Sequence, residues 1–169
     1  MKPTLTRDGT FTVESGPILQ VPLAQLFPAA LPLHTAESDW RFALDKQATA
    51  PSSFTTFKTT SRDAYDAARA RLKIVGYTKK KEVLLWNELE EIMEGSMTSV
   101  FVWRGEEEGW YTPAAASGGQ QGTVRRWALE TGRVREGVVK RDELPEGSWI
   151  AIGNGVRGFW GGRITHTLR

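Results

Sequence analysis

Three stretches, far apart in the chain, carry groups suited to chemistry. Lys58 lies in "FTTFKTTSRDAYDAARARL" (54–72), between an apolar-and-hydroxyl run and a predicted helix start. Glu94 lies in "MEGSMTSVFV" (93–102), a carboxylate at the end of an apolar run, followed by glycine. "SGGQQGTVRR" (117–126) is a glycine-rich loop running into a predicted helix N-terminus. Singly, each has an ordinary explanation: a solvated lysine, a strand-end turn, a loop. Together they make chemical sense. Free N–H groups at a helix N-terminus attract a phosphate. A buried carboxylate holds a pyridine nitrogen protonated and turns the ring into an electron sink. A partly desolvated lysine has a lowered pKa and forms imines. Phosphate site, ring-nitrogen carboxylate and imine lysine are the requirements of pyridoxal phosphate.

The elements that must position these groups are legible in outline. "TLTRDGTFTVES" reads as a hairpin turned at Asp8-Gly9. Residues 16–38 hold Pro17, Pro22, Pro28 and Pro32 and read as a connection with one helical turn over Leu23 to Leu26. "WRFALDK" (40–46) reads as a strand and "QATAPSS" as a loop. Ser61 is the expected cap of a helix with Asp63 in its first turn, and Ala64, Ala68 and Leu72 follow at helical spacing, widened by Tyr65. After Gly76 the texture is mostly strands: 82–87, 92–96, 99–104 and 110–113. "AAASGGQQG" (114–122) reads as a flexible loop, and 123–132 as a helix stopped by Gly132. "RVREGVVKRDEL" supplies a strand and a turn, and "GSWIAIGN" a buried strand ending in the glycine-rich "GNGVRGFWGGR". Strands outnumber at least two interspersed helices, which predicts one mixed α/β or α+β domain spanning 1–169.

Composition narrows the function classes. The 169 residues suffice for one domain with a real core. A net charge of +2 with scattered basic residues gives no footprint for nucleic acid, and the Lys79-Lys80-Lys81 cluster reads as a solvated loop. The absence of cysteine excludes disulfide and thiol chemistry, and His34 and His166 lack metal-ligand spacing, so no metal site is expected. No apolar run suits a membrane span or a signal peptide, so a cytosolic protein without membrane partners is the expectation. Seven tryptophans are expected mostly as half-buried sheet residues.

In order and spacing, "FKTTSRDAYDAARA", "VLLWNELEEIMEGSMTSVFV", "WYTPAAASGGQQGTVRR" and "WIAIGNGVRGF" resemble the class IV aminotransferases, the fold-type IV pyridoxal-phosphate enzymes. The "KTT-x-R-x-x-YD-x-AR" pattern and the "NGVRG" ending are most similar to 4-amino-4-deoxychorismate lyases. The likeness covers roughly residues 40–164 well, and the hairpin at 4–14 plausibly. It implies the large-domain pseudobarrel of that fold. Lys58 then matches the lysine that holds the cofactor aldehyde and later shuttles protons, the catalytic residue. Glu94 matches the carboxylate on the pyridine nitrogen. Gln120 matches the residue on the ring face. Gly122, Thr123 and Val124 match the turn whose N–H groups hold the phosphate, and Asn154 and Gly155 the second phosphate-side loop.

Departures accompany the likeness. Gln120 replaces the family's common leucine. Gln121 stands where proline or asparagine is frequent. Val124 and Gly155 offer no hydroxyl where relatives often have threonine, so phosphate affinity is expected to rest on backbone donors and the helix dipole. Family members have a smaller N-terminal domain that contributes an arginine. This chain reads as the large domain alone, with Arg62, Arg125 and Arg126 the alternative cations, each better explained as a surface or salt-bridge residue. The bared face is expected to be apolar, with Trp86, Trp103, Trp110 or Trp160 in it, and covered by self-association or a partner chain. The implied activity is a pyridoxal-phosphate-dependent lyase on a small amine, forming an imine at Lys58 and eliminating pyruvate to leave 4-aminobenzoate, or a class IV aminotransferase. The alternatives are a repurposed scaffold, with or without the cofactor, for a cyclisation or isomerisation, and a non-catalytic binding subunit.

Overall fold

The computed structural model describes residues 2–16, 20–32, 38–76, 80–166 and 168; Pro17, His34 and Lys79 lie outside them. The predicted hairpin is β1 (Lys2–Leu5) and β2 (Phe11–Glu14), antiparallel, with Pro3 opposite Val13 and Leu5 opposite Phe11. Gly9 takes φ 86° in its turn, a conformation glycine adopts freely. One helical turn, α1 (Leu23–Leu26), leads towards β3 (Arg41–Leu44).

The remaining strands are β4 (Lys81–Trp86), β5 (Ile92–Gly95), β6 (Ser99–Trp103), β7 (Trp110–Pro113), β8 (Arg135–Gly137), β9 (Trp149–Asn154) and β10 (Gly158–Ile164). With β3 they form one mixed sheet in the order β5-β4-β3-β10-β9-β6-β7-β8. The pairs β10–β3, β3–β4 and β7–β8 are parallel, the others antiparallel. The sheet curls until its ends meet. Ile92 N–H donates to the Val139 carbonyl at 2.8 Å and Glu91 bridges Lys140, joining the start of β5 to the residues after β8. This half-barrel is the large domain expected from the resemblance.

Its interior explains the apolar runs. Phe42, Leu84, Ile92, Val100, Ile150 and Ile152 are fully buried or nearly so on one face. Each such side chain contributes about 2 kcal/mol by leaving water. On the other face α4 (Thr123–Glu130) buries Val124 and Ala128 against Phe101, Ala151 and Phe159. Helix α3 (Asp63–Arg71) buries Tyr65, Ala68 and, just past its end, Leu72 against Ala43, Val83, Leu85 and Met93.

Four expectations change. Ser61 does not cap α3: Arg62 holds the cap position, its carbonyl accepting Asp66 N–H at 2.8 Å, while Ser61 C=O accepts the Thr59 hydroxyl. The acidic first turn, Asp63 and Asp66, stabilises the helix start instead. A short helix, α2 (Ser53–Thr56), precedes it where a loop is expected at Ser52 and Ser53, closed by reciprocal Ser52 and Thr55 bonds. The 114–122 loop is pinned rather than flexible: residues 115–117 form a 3-10 turn, Ser117 is buried, and its carbonyl and hydroxyl bond Asn87 and Glu91. The tryptophans do not form a bare face. Trp110 is buried, and Trp86, Trp103 and Trp160 are half-buried against the core. The exposed large apolar residues are others, among them Leu5, Phe11, Phe27, Phe54 and Phe57.

Candidate active site

The three stretches that looked chemically suggestive meet in one cleft of about 590 Å3. Lys58, Glu94, Gln120, Gly122, Thr123, Val124, Asn154 and Gly155 all line it. So do Arg62, Tyr65 and Ser99.

Glu94 sits on β5 opposite Leu85 of β4 and is buried. The Tyr65 hydroxyl donates to its Oε1 at 2.5 Å, and the Gln120 N–H donates to the same oxygen at 3.1 Å. Among the described residues Oε2 accepts no hydrogen bond. Burial pushes the carboxyl up to about 7; the bonds from Tyr65 and Gln120 and the charge of Arg62 pull it back only in part. The Tyr65 phenol is pushed up as well, by burial first and then by Glu94. Gly119 makes the Gln120 contact possible. A Cβ there would stand 2.5 Å from the Met93 carbonyl, so only glycine lets the loop press onto β5.

At the opposite end, α4 begins at Thr123 with Gly122 as its cap and no side-chain cap bond. Arg126 N–H is the first to bond back, to the Gly122 carbonyl, so the N–H groups of 123–125 have no intrahelical acceptor. The neighbouring turns are held from behind. Buried Glu82 accepts from Ser96 Oγ at 2.5 Å, Met97 N–H at 3.2 Å and Thr98 Oγ1 at 3.1 Å. Asn154 Nδ2 donates to the Met97 carbonyl at 3.3 Å, while its Oδ1 accepts the N–H groups of Val156 and Arg157. The Asn154 side chain is therefore committed to joining two loops.

Lys58 lies between α2 and α3, exposed, with no ion pair or hydrogen bond among the described residues. The partial desolvation expected of it is not provided by this chain, because the cleft is open on that side. Of the three arginines, Arg125 is buried in a pair with Glu136 and a bond to the Pro113 carbonyl, and Arg126 is exposed beside Glu130. Arg62 alone of the three lines the cleft, its Nη2 donating to the Ser96 carbonyl at 2.7 Å and its guanidinium 4.8 Å from the Tyr65 ring.

The model of the class IV amino-transferase family matches residues 2–163. The chain belongs to that family. It is 32% identical over 139 residues to the aminodeoxychorismate lyase of Saccharomyces cerevisiae, a match covering 75% of this chain and 37% of the lyase. Its fold matches that of a Mesorhizobium loti protein assigned as an amino-acid aminotransferase, with a TM-score of 0.75, 27% identity, and coverage of 96% of this chain and 71% of that one. The branched-chain amino acid aminotransferase of Thermobaculum terrenum in its PLP form matches with a TM-score of 0.61 and 18% identity, over 73% of this chain and 42% of that one. The chain thus spans little more than a third of the yeast lyase.

Class IV aminotransferases use pyridoxal phosphate in general, and the residues present fit that group. Among the described residues, Glu94 presents to the cleft an oxygen that accepts no hydrogen bond, Lys58 an amine with no ion pair or hydrogen bond, and the start of α4 three N–H groups without an acceptor. Two further groups were not found from the sequence. Tyr65 reads as a core residue by its helical spacing, yet its hydroxyl holds Glu94. Ser99 hides in the hydroxyl-rich "SMTS" that follows the Glu94-Gly95 pair.

Proposed function

We propose that this chain binds pyridoxal phosphate in the cleft and serves a lyase reaction of the aminodeoxychorismate type, releasing pyruvate and leaving 4-aminobenzoate. The observation that carries the reading is the convergence of Lys58, Glu94 and the α4 N-terminus on one cleft. The likeness to the yeast lyase favours lyase over aminotransferase. The cofactor, when bound, supplies an electron sink for the bond broken beside the substrate amine. Lys58 would hold the cofactor by its aldehyde and would serve as the group that moves protons at the substrate carbon. Glu94 would keep the ring nitrogen protonated, and that positive charge would favour the ionised carboxylate against the burial that disfavours it. Tyr65 and the Gln120 N–H fix that carboxylate in place. The free N–H groups at the start of α4 would anchor the phosphate, with the loop of Asn154 and Gly155 forming the opposite wall.

The same reading includes a covering chain, either a second copy or a partner. Phe57, Met97 and Val156 line the cleft and are 65%, 40% and 54% exposed, an apolar rim beside an uncovered lysine.

The test is an absorption spectrum of the purified protein with added pyridoxal phosphate, then borohydride reduction and peptide mass mapping. A near-visible band and a reduced adduct on Lys58, both lost in Lys58→Ala, are the expected results. Absence of band and adduct from the wild-type chain refutes cofactor binding by this chain alone and favours a repurposed scaffold or binding subunit.

A further inference from the structure

The loop pair at the start of α4 holds more donors than its backbone. Ser99, the first residue of β6, is only 8% exposed, lines the cleft, and has no hydrogen-bond partner among the described residues. The residue is held almost wholly inside the fold while its hydroxyl opens on the cleft, so the oxygen is fixed in place and free to bond a guest. Its Oγ stands 3.2 Å from where a Cβ on Gly122 would be, at the cap of α4. Thr123 Oγ1 also makes no hydrogen bond among the described residues, and Thr123 lines the same end of the cleft. That oxygen is 2.7 Å from where a Cβ on Gly155 would be. Gly155 has no left-handed φ. Backbone freedom therefore does not explain this glycine; space does.

We propose that Ser99 and Thr123 are the side-chain donors of an anion site at the α4 N-terminus, and that Gly155 is glycine because the Thr123 hydroxyl occupies its side-chain space. Residues 124 and 155 cannot offer hydroxyls here. The site replaces them from β6 and from the first residue of α4, reaching the same volume from the other side. A side chain at 155 pushes the Thr123 hydroxyl out, because a threonine in a helix has few rotamers to retreat into. Thr123 and residue 155 thus form an either-or pair: a hydroxyl is supplied by one or by the other. The inference rests on the reading of the cleft as a site for a phosphate-bearing cofactor, but its probe is simpler.

Inorganic phosphate binding is measured by calorimetry on the wild-type chain and on Ser99→Ala, Thr123→Ala, Gly155→Ala and Thr123→Ala/Gly155→Ser, each checked for folding by thermal melting. Loss of one hydrogen bond to a charged acceptor predicts a weakening of about tenfold or more for each single variant. Gly155→Ala removes no donor, so its weakening is the specific sign of the either-or pair. The double variant returns the hydroxyl from the other side and recovers phosphate binding to within about twofold of wild type, the span expected when one donor replaces another. Wild-type affinity in the single variants, or no phosphate binding by the wild-type chain, overturns the inference. The Lys58 adduct is scored in parallel. An adduct with no effect of the hydroxyls sinks the inference and leaves the function standing. Hydroxyl-dependent phosphate binding without an adduct does the reverse.

Discussion

Replacing Glu94 by glutamine should make the protein more stable at neutral and alkaline pH, and by a calculable amount. In the folded chain burial raises the Glu94 carboxyl from 4.5 to about 7. Below 4.5 the group is protonated in both folded and unfolded chains and contributes no pH-dependent term. Between 4.5 and 7 the unfolded chain has lost the proton and the folded chain keeps it, so stability falls as pH rises. Above the folded value the penalty is complete, about 3 kcal/mol for a shift of this size. Glutamine keeps the shape and an oxygen for Tyr65 and Gln120, without the charge. The difference between the two proteins should therefore be near zero around pH 4 and grow through the titration window. It should level off above it at about 3 kcal/mol, or roughly 6–12 °C in Tm for a chain of this size. Taking the difference removes the other shifted carboxylates, including buried Glu82, which is raised, and Glu91 and Glu136, which are lowered. The assay is urea unfolding of both proteins, without added cofactor, at several pH values across the window. A difference that stays flat, or that favours wild type as pH rises, refutes the reasoning.

Tyr65→Phe removes a donor that lowers the Glu94 carboxyl, so the same titration step should move to higher pH and the folded chain should lose about 1.5–3 kcal/mol where Glu94 is ionised, readable by urea unfolding. Gly119→Ala places a carbon 2.5 Å from the Met93 carbonyl, so it should cost about 1–3 kcal/mol and unseat the Gln120 N–H, seen as a lower melting temperature and a shifted Glu94 titration. Phe101→Ala empties a fully buried site between β6 and α4 and should cost about 3–5 kcal/mol in the same unfolding assay.

What could be read from the sequence divides along physical lines. β4, β6 and β9 were legible because strands buried on both faces are continuous apolar runs, as in "EVLLW" and "SVFVW". β10 was not, since "GFWGGRI" carries three glycines and reads as loop. Its glycines answer to neighbours instead: a Cβ on Gly162 would meet the Trp40 carbonyl at 2.6 Å and the Phe42 ring at 2.7 Å. Those neighbours lie on the parallel strand β3 and just before it, a pairing across more than a hundred residues that no local pattern announces. The candidate site divides the same way. Lys58, Glu94 and the α4 entrance stood out because residue type and local context suggested a role. Tyr65 and Ser99 did not, because their roles depend on what faces them: Glu94 across the α3–β5 packing and Gly122 across the cleft.

The site is built unevenly, and that makes the covering chain testable. Glu94 and Ser99 stand on strands of the sheet, and Thr123 opens a helix packed on it, so the residues proposed for the ring-nitrogen and phosphate ends are fixed by this chain's own fold. Lys58 stands on an exposed segment between α2 and α3. Binding at the first two ends should be independent of protein concentration. Closure over Lys58 by a second copy should not be, because association follows mass action. At fixed, saturating pyridoxal phosphate, the fraction of Lys58 reduced by borohydride should then rise with protein concentration over about two decades, while phosphate affinity stays constant. A parallel rise in mass by light scattering should track the adduct. If the adduct fraction is flat and the protein stays monomeric, a second copy does not complete the cleft. A different partner, or no cover at all, then has to account for the apolar rim of Phe57, Met97 and Val156.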